Sequence, residues 1–258
     1  MRIIEQSEVA KSPSGPCLDA VVAVGHWVAV IDQSTPKRPH EPLLHQAFVE
    51  GLTHVASLET LPAAEVVSII SQHVGAAGTE AGPDDSPGPC LTALLLDASA
   101  RRVIRVGDGH VCIGGTVHAG RSPVDEVLGP MRSLVNHLSD DGADDPGRIH
   151  ILPWLAAASR GLRNNPTSPY GFGTIDGGTV PAEFVEVFDI PSEETEVSLM
   201  TDGYPTAART LAAAEQLLAR ALDLMRSGQV DDRTKGLAPG AVSFDDRAFV
   251  RVHMEAHA

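Results

Sequence analysis

Cysteine is scarce in this sequence, and the few cysteines lie far apart. Only three occur among the 258 residues, Cys17, Cys90 and Cys112, and none belongs to a CxxC or Cys/His spacing. An odd number of isolated cysteines argues against a disulfide framework and against a zinc site, so we expect three reduced thiols. The eleven histidines show no HxH or HExxH spacing, which leaves the zinc hydrolases without support.

Positive charge is also in short supply. The chain has 19 Lys and Arg against 34 Asp and Glu, which gives a formal net charge of −15. Such a chain repels nucleic-acid phosphates and anionic lipid head groups, so we expect neither nucleic acid nor a membrane as a partner. The excess of carboxylates favours hard divalent cations, although most acidic side chains only solvate the surface.

Long hydrophobic runs are missing as well. No apolar stretch approaches the roughly 20 residues that span a bilayer, and the amino-terminal segment MRIIEQSEVAKSPSGPC has no apolar region typical of a signal peptide. These features predict a cytoplasmic protein. The length suits one large core, and we interpret Gly75 to Pro89 as a surface loop within a single domain of residues 1–258. Nothing in the sequence indicates an oligomeric state.

Short β-branched runs bounded by Gly, Pro, Asp or Asn predict strands. Ala20 to Ile31 is interpreted as two strands joined at Gly25-His26. The stretch from Leu91 to Ile113, with turns at DASA and GDG, predicts an antiparallel meander. Further strands are predicted at Phe184 to Ile190, Glu196 to Met200 and Ala248 to His253.

Helices are predicted where apolar residues return every three or four positions. The segments are Glu41 to Ser57, Pro62 to Val74 and Ala207 to Ser227, with a weaker pattern from Pro153 to Leu162. Hairpins with helices grouped between them favour an α+β fold over a doubly wound parallel sheet.

Three aspartates lie beside predicted strands. Asp32 and Asp202 follow apolar strands, and Asp245 precedes one. Singly, each is most simply a turn former that hydrogen-bonds nearby backbone, and Gly203 is interpreted as the residue that gives the second turn its conformation. If the three converge on one sheet edge, a divalent cation would relieve their repulsion. Spacing in the sequence does not show that convergence.

The motifs LDAVVA, VIDQST, GPCLTALLLD, IRVGDGHVCIGG, VSLMTDGYP and SFDDRAFVRV follow one another along most of the chain. Together they resemble the ordered motifs of the metal-dependent, type 2C protein phosphatases. The resemblance implies a four-layer sandwich of two antiparallel β-sheets flanked by helices, with two Mg²⁺ or Mn²⁺ ions at one end.

The resemblance also implies roles for individual residues. Asp32 would bridge both ions, and the Gln33 carbonyl would bind one of them. Asp202 and Asp245 would bind the other ion, and Asp19 would hold a metal-bound water. Asp32 and Asp19 are thus the expected catalytic residues.

The chain departs from the family pattern at several positions. Gln33 replaces a Gly, and Ser34 replaces a His that follows the DG turn. The family's phosphate-binding Arg has no counterpart between Ser12 and Leu18, which leaves Lys37 and Arg38 as candidates by position. Thr206 replaces an acid that in the family contributes to a third, weaker metal site with Asp108 and Asp202.

The leading hypothesis is a metal-dependent phosphomonoesterase that acts on phosphoserine or phosphothreonine proteins through a water bridging two ions. A phosphatase of a small phosphorylated metabolite is an alternative, because the missing Arg indicates altered recognition. The departures also leave open a catalytically idle member of the fold that serves as a binding module.

Overall fold

The protein, described from a computed structural model, forms two β-sheets and five α-helices within the residues that the structure describes, which are 1–35, 43–78, 88–139, 145–227 and 233–255. The strands are β1 Arg2–Val9, β2 Asp19–Val24, β3 Trp27–Gln33, β4 Leu91–Asp97, β5 Arg102–Val106, β6 His110–Ile113, β7 Thr116–His118, β8 Glu186–Asp189, β9 Glu196–Met200 and β10 Arg247–His253. The helices are α1 His45–Ala56, α2 Ala63–Ala76, α3 Pro123–Leu138, α4 Pro146–Gly161 and α5 Leu211–Arg226.

Both sheets have five strands, and every strand pairing within them is antiparallel. One sheet has the order β1-β10-β9-β6-β7, and the other has the order β2-β3-β4-β5-β8. The inner faces pack on each other through a core that includes Val28 and Val30 of β3 and Leu199 and Val250 of the opposite sheet. This core is the middle of a sandwich.

Helices cover the outer faces. Ala29 and Ile31 of β3 point away from the sheet interface and pack with Phe48 of α1 and Ile70 of α2. Because successive strand residues face opposite sides, β3 is apolar on both faces and has a continuous hydrophobic sequence. Helix α5 covers the other sheet through a cluster that includes Leu218 and Phe249. The predicted four-layer α+β sandwich is therefore confirmed.

The hairpin predicted over Ala20 to Ile31 is confirmed, and its strands extend to Asp19 and Gln33. Gly25 has a φ of +60° in its turn, a conformation that side chains with a Cβ adopt rarely. The predicted meander is wrong in one respect. Strands β4 and β5 pair as expected, but β6 leaves that sheet and pairs with β9 and β7. The turn at Gly107–Gly109 carries the chain from one sheet to the other.

The predicted helices are confirmed with shifted ends. The helix predicted from Ala207 starts at Leu211, because the Thr210 hydroxyl accepts a hydrogen bond from Ala213 N at 3.2 Å and caps it. The weak helix starts earlier than predicted, at Pro146, where the Asp145 carboxylate caps it. Strands β1 and β7 and helix α3 were not predicted. The expected start at Glu41 and most of the Gly75 to Pro89 loop lie outside the described residues.

The cysteines are free thiols, as expected, with Cys90 and Cys112 buried. Within the described ranges, no helix has the length and apolar content needed to cross a membrane.

Candidate active site

Asp19 and Asp32 are neighbours across the β2–β3 hairpin. They are directly paired in its register, so their side chains leave the same face of the sheet. Asp32 lies inside β3, which continues through Gln33, so it does not end the strand as the sequence suggested. Asp19 is 3% exposed, and its Oδ2 has no hydrogen-bond partner. The Asp32 carboxylate makes no hydrogen bond or ion pair within the described part of the chain.

Asp202 and Asp245 come from the opposite sheet. Strands β9 and β10 pair with Met200 opposite Phe249, so the residues after β9 lie beside those before β10. Thr201 N donates to Ala248 O at 3.1 Å, and Ala248 N donates to the Thr201 hydroxyl at 2.9 Å. These bonds fix the two aspartates next to each other.

Gly203 holds this junction together for a different reason from the one expected. Its φ is not positive, so the turn does not need a glycine conformation. Instead, a Cβ at position 203 would lie 1.9 Å from Asp246 O. The glycine is therefore required for the close approach of the two backbone segments that carry Asp202 and Asp245.

A lysine that the sequence analysis did not single out lies at the centre of the acidic cluster. Lys235 Nζ donates to Asp202 Oδ2 at 2.7 Å and forms an ion pair with Asp245 Oδ2. Lys11 Nζ, from the β1–β2 connection, donates to the other oxygen of Asp245, Oδ1, at 3.0 Å. Two ammonium groups thus neutralise the acidic pair of this sheet.

The surroundings of the cluster shift the pKa values of its acids in opposite directions. Burial, reinforced by the charges of Asp19 and Asp202, raises the pKa of Asp32 well above its usual range. Burial likewise raises the pKa of Asp19. Burial also tends to raise the pKa of Asp245, but Lys235 and Lys11 outweigh it and hold that pKa below the ordinary value. Asp19 and Asp32 therefore lack a sufficient counter-charge, whereas Asp245 has one.

Two further acids border the same cleft. Asp108 lies in the turn between β5 and β6, and burial followed by the charge of Asp202 raises its pKa to about 7. Asp125 lies in the first turn of α3 and accepts a hydrogen bond from the Thr234 hydroxyl at 2.9 Å. The cleft, about 1210 Å³ in volume, is lined by both residues and by Asp32, Asp202, Asp245, Lys11 and Lys235.

His110 is a structural residue beside the cleft. Gly120 N donates to its Nδ1 at 2.9 Å, so the ring proton is on Nε2, which lies 2.9 Å from Tyr204 O. Burial lowers the pKa of His110, which favours this neutral form. The ring joins the start of β6 to the turn that follows Asp202.

The departures at Gln33 and Ser34 are explained by local packing. Gln33 is 2% exposed, and its Oε1 accepts a hydrogen bond from Leu44 N at 2.7 Å, which ties β3 to the start of α1. The Ser34 hydroxyl accepts a hydrogen bond from Cys90 N at 3.1 Å. Both side chains therefore accept hydrogen bonds from backbone N–H groups of neighbouring segments.

Similarity to solved structures adds to this geometry. One is the catalytic domain of the serine/threonine protein phosphatase PstP in complex with two manganese ions, with a TM-score of 0.51, 14% identity and 98% of each chain covered. Another is a point mutant of a bacterial serine phosphatase, with a TM-score of 0.50, 10% identity and 97% of each chain covered. The chain has the fold of these phosphatases.

PstP from Mycobacterium tuberculosis, a further phosphatase structure, has a TM-score of 0.49, 16% identity and 98% coverage of both chains. No family model matches the sequence, and no curated protein matches it. The likeness to the first two structures thus extends over the whole phosphatase fold, while the sequence has diverged widely from theirs.

The donor set fits one hydrated divalent cation better than two. Asp32 and the unpartnered Asp202 Oδ1 are oxygen donors of the kind that Mg²⁺ or Mn²⁺ prefers, and the unpartnered Asp19 Oδ2 could accept a hydrogen bond from a water of such an ion. Among the described residues, no three His, Cys, Asp or Glu side chains are arranged to enclose an ion. Mg²⁺ commonly binds through one or two carboxylates and keeps its waters, so a largely hydrated ion is compatible with this arrangement.

The amino-acid sequence gives little sign that some of these residues line the cleft. Lys235 lies in the Gly and Pro rich stretch between α5 and β10, where no sequence pattern marks a cleft residue. Asp125 follows Ser122 by three positions, which is a helix-start signal and not a site signal. Lys11 immediately precedes the segment Ser12 to Leu18, which contains no arginine. The candidates Lys37 and Arg38 lie outside the described residues.

Proposed function

We propose that the protein is a divalent-cation-dependent phosphomonoesterase, with serine/threonine phosphoproteins as its substrate class. In this proposal residues 1–258 act as one catalytic domain. The observation that supports it most directly is the meeting of Asp32 from one sheet with Asp202 and Asp245 from the other in a single cleft of the phosphatase fold. A bound divalent cation would activate a water as nucleophile and neutralise charge on the phosphoryl group.

The residues of the chain have separable tasks in this proposal. Asp32 and the Gln33 carbonyl would hold the cation on the β3 side, and Asp202 would hold it from β9 through its unpartnered Oδ1. Asp19, placed opposite Asp32, would accept a hydrogen bond from a water on the cation and orient it for attack. Asp245 keeps Lys11 and Lys235 in the cleft.

The cleft also has cations that suit an anionic substrate. Arg121, Arg148 and Arg163 line it in addition to the two lysines, although the whole chain has a net charge of −15. The lining also includes more acidic than basic side chains, so a phosphate ester would rely on these individual cations and on a divalent cation among the carboxylates.

The test is phosphate release from an aryl phosphate with Mn²⁺ and with excess chelator. We expect turnover only with Mn²⁺, and a loss of about 100-fold or more in Asp32→Ala and in Asp202→Ala, because each removes an oxygen donor from the cation. Asp223→Ala is the matched control, since this exposed aspartate on α5 pairs with Arg226 in an exposed i,i+3 contact. Full turnover in chelator would contradict the proposal. Phosphopeptides and small phosphate esters, compared by kcat/KM, then separate the protein-phosphatase hypothesis from the metabolite one.

A second candidate function is a binding module on the same fold. The ion pairs of Lys235 with Asp202 and Asp245 favour it, because an ammonium already compensates two of the expected metal ligands. Phosphopeptide binding without turnover in Mn²⁺ would support this second function and exclude the first.

A further inference from the structure

We propose that the chain holds one divalent cation rather than two, with the Lys235 ammonium as the fixed positive charge between Asp202 and Asp245. This inference rests on the proposed function, because it concerns the cation requirement of the same cleft. It differs from the expectation drawn from the family resemblance, in which both aspartates bind a second ion.

The first observation is that both oxygens of the Asp245 carboxylate are already paired with ammonium groups. Its Oδ1 accepts hydrogen bonds from Lys11 Nζ at 3.0 Å and from Asp246 N at 3.0 Å. Its Oδ2 is paired with Lys235 Nζ. The charge of Asp245 is thus already compensated, and a divalent cation bound there would stand against two ammonium groups.

The second observation is that hydrogen bonds from two helices hold the backbone just before Lys235. Arg132 of α3 donates to Arg233 O at 3.0 Å, and Arg148 of α4 donates to Thr234 O at 2.9 Å. Thr234 is 3% exposed and donates its hydroxyl to Asp125. The residue next to the lysine is therefore fixed by both helices, and the ammonium is positioned by the fold.

Lys11 is anchored in a similar way. Its backbone N donates to Asp246 Oδ1 at 2.8 Å, and its carbonyl accepts a hydrogen bond from Val242 N at 2.9 Å. Two lysines from distant parts of the chain thus reach the same acid. Their positive charges compensate the buried Asp245 carboxylate, as a bound cation would.

Other carboxylate oxygens of the acidic cluster lack such compensation. Asp19 Oδ2 and Asp202 Oδ1 are buried without hydrogen-bond partners, and Asp19 is opposite Asp32 on the hairpin. Buried carboxylate oxygens without partners are costly, and a cation relieves that cost. One cation on Asp32 and Asp202 Oδ1, with a water donating to Asp19 Oδ2, would satisfy both oxygens, while Lys235 stays paired with the other oxygen of Asp202.

The experiment counts Mn²⁺ ions per chain by calorimetric titration of the 258-residue chain. We expect one ion in the wild type and two in Lys235→Met, because removing the ammonium frees Asp202 and one Asp245 oxygen. Arg121→Met is the matched control: it removes the same charge from the wall of the same cleft, where Arg121 is 79% exposed and pairs with Glu126. The control should still bind one ion.

A spectroscopic readout supplements the count. Electron paramagnetic resonance of the Mn²⁺-loaded wild type should give the six-line signal of an isolated ion. Lys235→Met should instead give the exchange-coupled signal of a pair roughly 3.5–4 Å apart. If Lys235→Met does not fold, Lys235→Gln replaces it, and the wild-type spectrum alone still decides between an isolated ion and a coupled pair.

The outcomes separate this inference from the proposed function. Two ions in the wild type, or one ion in both the wild type and Lys235→Met, would overturn the role of Lys235 while leaving a cation-dependent phosphatase intact. Absence of Mn²⁺ binding in every variant would overturn both. One ion in the wild type with two in Lys235→Met supports the inference whether or not a chosen substrate is turned over.

Discussion

At the scale of single residues, two aspartates of the cleft differ in their contacts and therefore in their expected roles. Asp202 and Asp108 both border the cleft, yet only Asp202 forms an ion pair with Lys235 and retains an unpartnered buried oxygen among the described residues. Asp108 lies in the β5–β6 turn, and Thr206, a neutral and poorer ligand for Mg²⁺, stands where an acid would complete a third site. Asp108 is thus better explained by the turn than by catalysis.

This difference gives a prediction for paired substitutions. We expect Asp108→Asn to lower phosphate release far less than Asp202→Asn, by about 10-fold or less against about 100-fold or more. Thr206→Asp should raise metal occupancy beside Asp108, at a position separate from the cation on Asp32 and Asp202, because it adds an anionic ligand. Steady-state kinetics and metal analysis of the three variants are the measurements. An Asp108→Asn loss as large as that of Asp202→Asn would place Asp108 in the catalytic machinery.

At the scale of elements, helices α3 and α4 position the cleft from outside the two sheets. Asp145 caps α4 by accepting a hydrogen bond from Arg148 N at 2.9 Å, and it also forms an ion pair with Arg132 of α3 at 2.8 Å. Arg132 is 6% exposed and holds the backbone that precedes Lys235. One carboxylate therefore couples the cap of α4 to the placement of the lysine.

Asp145→Ala should destabilise the protein by about 3 kcal/mol, because it removes a helix cap and leaves the buried Arg132 without its carboxylate. Urea unfolding at pH 7 measures the loss, and Asp223→Ala on the exposed face of α5 should change stability by about 0.5 kcal/mol or less. A loss confined to that small value would show that the cap does not contribute.

The same carboxylate has a pH signature. Burial tends to raise the pKa of Asp145, but hydrogen bonds from Arg132 and Asn136 hold it below its ordinary value. Because the folded pKa lies below the unfolded one, this contribution is present above about pH 4 and is lost as the pH falls further. The stability difference between wild type and Asp145→Ala should therefore shrink in acid.

At the scale of the whole molecule, the cleft joins the two sheets. Asp32 belongs to the β2-β3-β4-β5-β8 sheet, whereas Asp202 and Asp245 follow and precede strands of the other sheet. A cation held by Asp32 and Asp202 binds the folded arrangement and not the unfolded chain. Its binding free energy therefore adds to the stability of the entire sandwich.

We expect Mn²⁺ to raise the melting temperature and chelator to return it to the metal-free value. At a concentration 100 times the dissociation constant, the stabilisation is about 2.7 kcal/mol, or roughly 5 to 10 °C for a chain of this size. Differential scanning calorimetry measures the shift. Asp32→Ala should lose most of it and Asp223→Ala should keep it, whereas an equal shift in both variants would indicate binding away from the cleft.

The sequence by itself determined much of the local structure. Alternating and continuous apolar runs marked the β2–β3 hairpin and strands β4, β5 and β9, and the spacing in α5 marked its covered face. The ordered motifs indicated the sandwich and pointed to Asp19, Asp32, Asp202 and Asp245. The strand and helix patterns depend on residues close in the chain, where periodicity and turn chemistry act directly, whereas the sandwich and the four aspartates were implied by the family resemblance alone.

Only the tertiary structure decided what depends on distant contacts. The β6 strand leaves the predicted meander because its partners, β9 and β7, are chosen by sheet packing and not by the GDG turn. Gly203 is needed for a close approach to Asp246, a residue more than 40 positions away. The positions of Lys11 and Lys235 among the carboxylates follow from backbone anchors on α3, α4 and the segment before β10, and such contacts leave no periodic trace in the sequence.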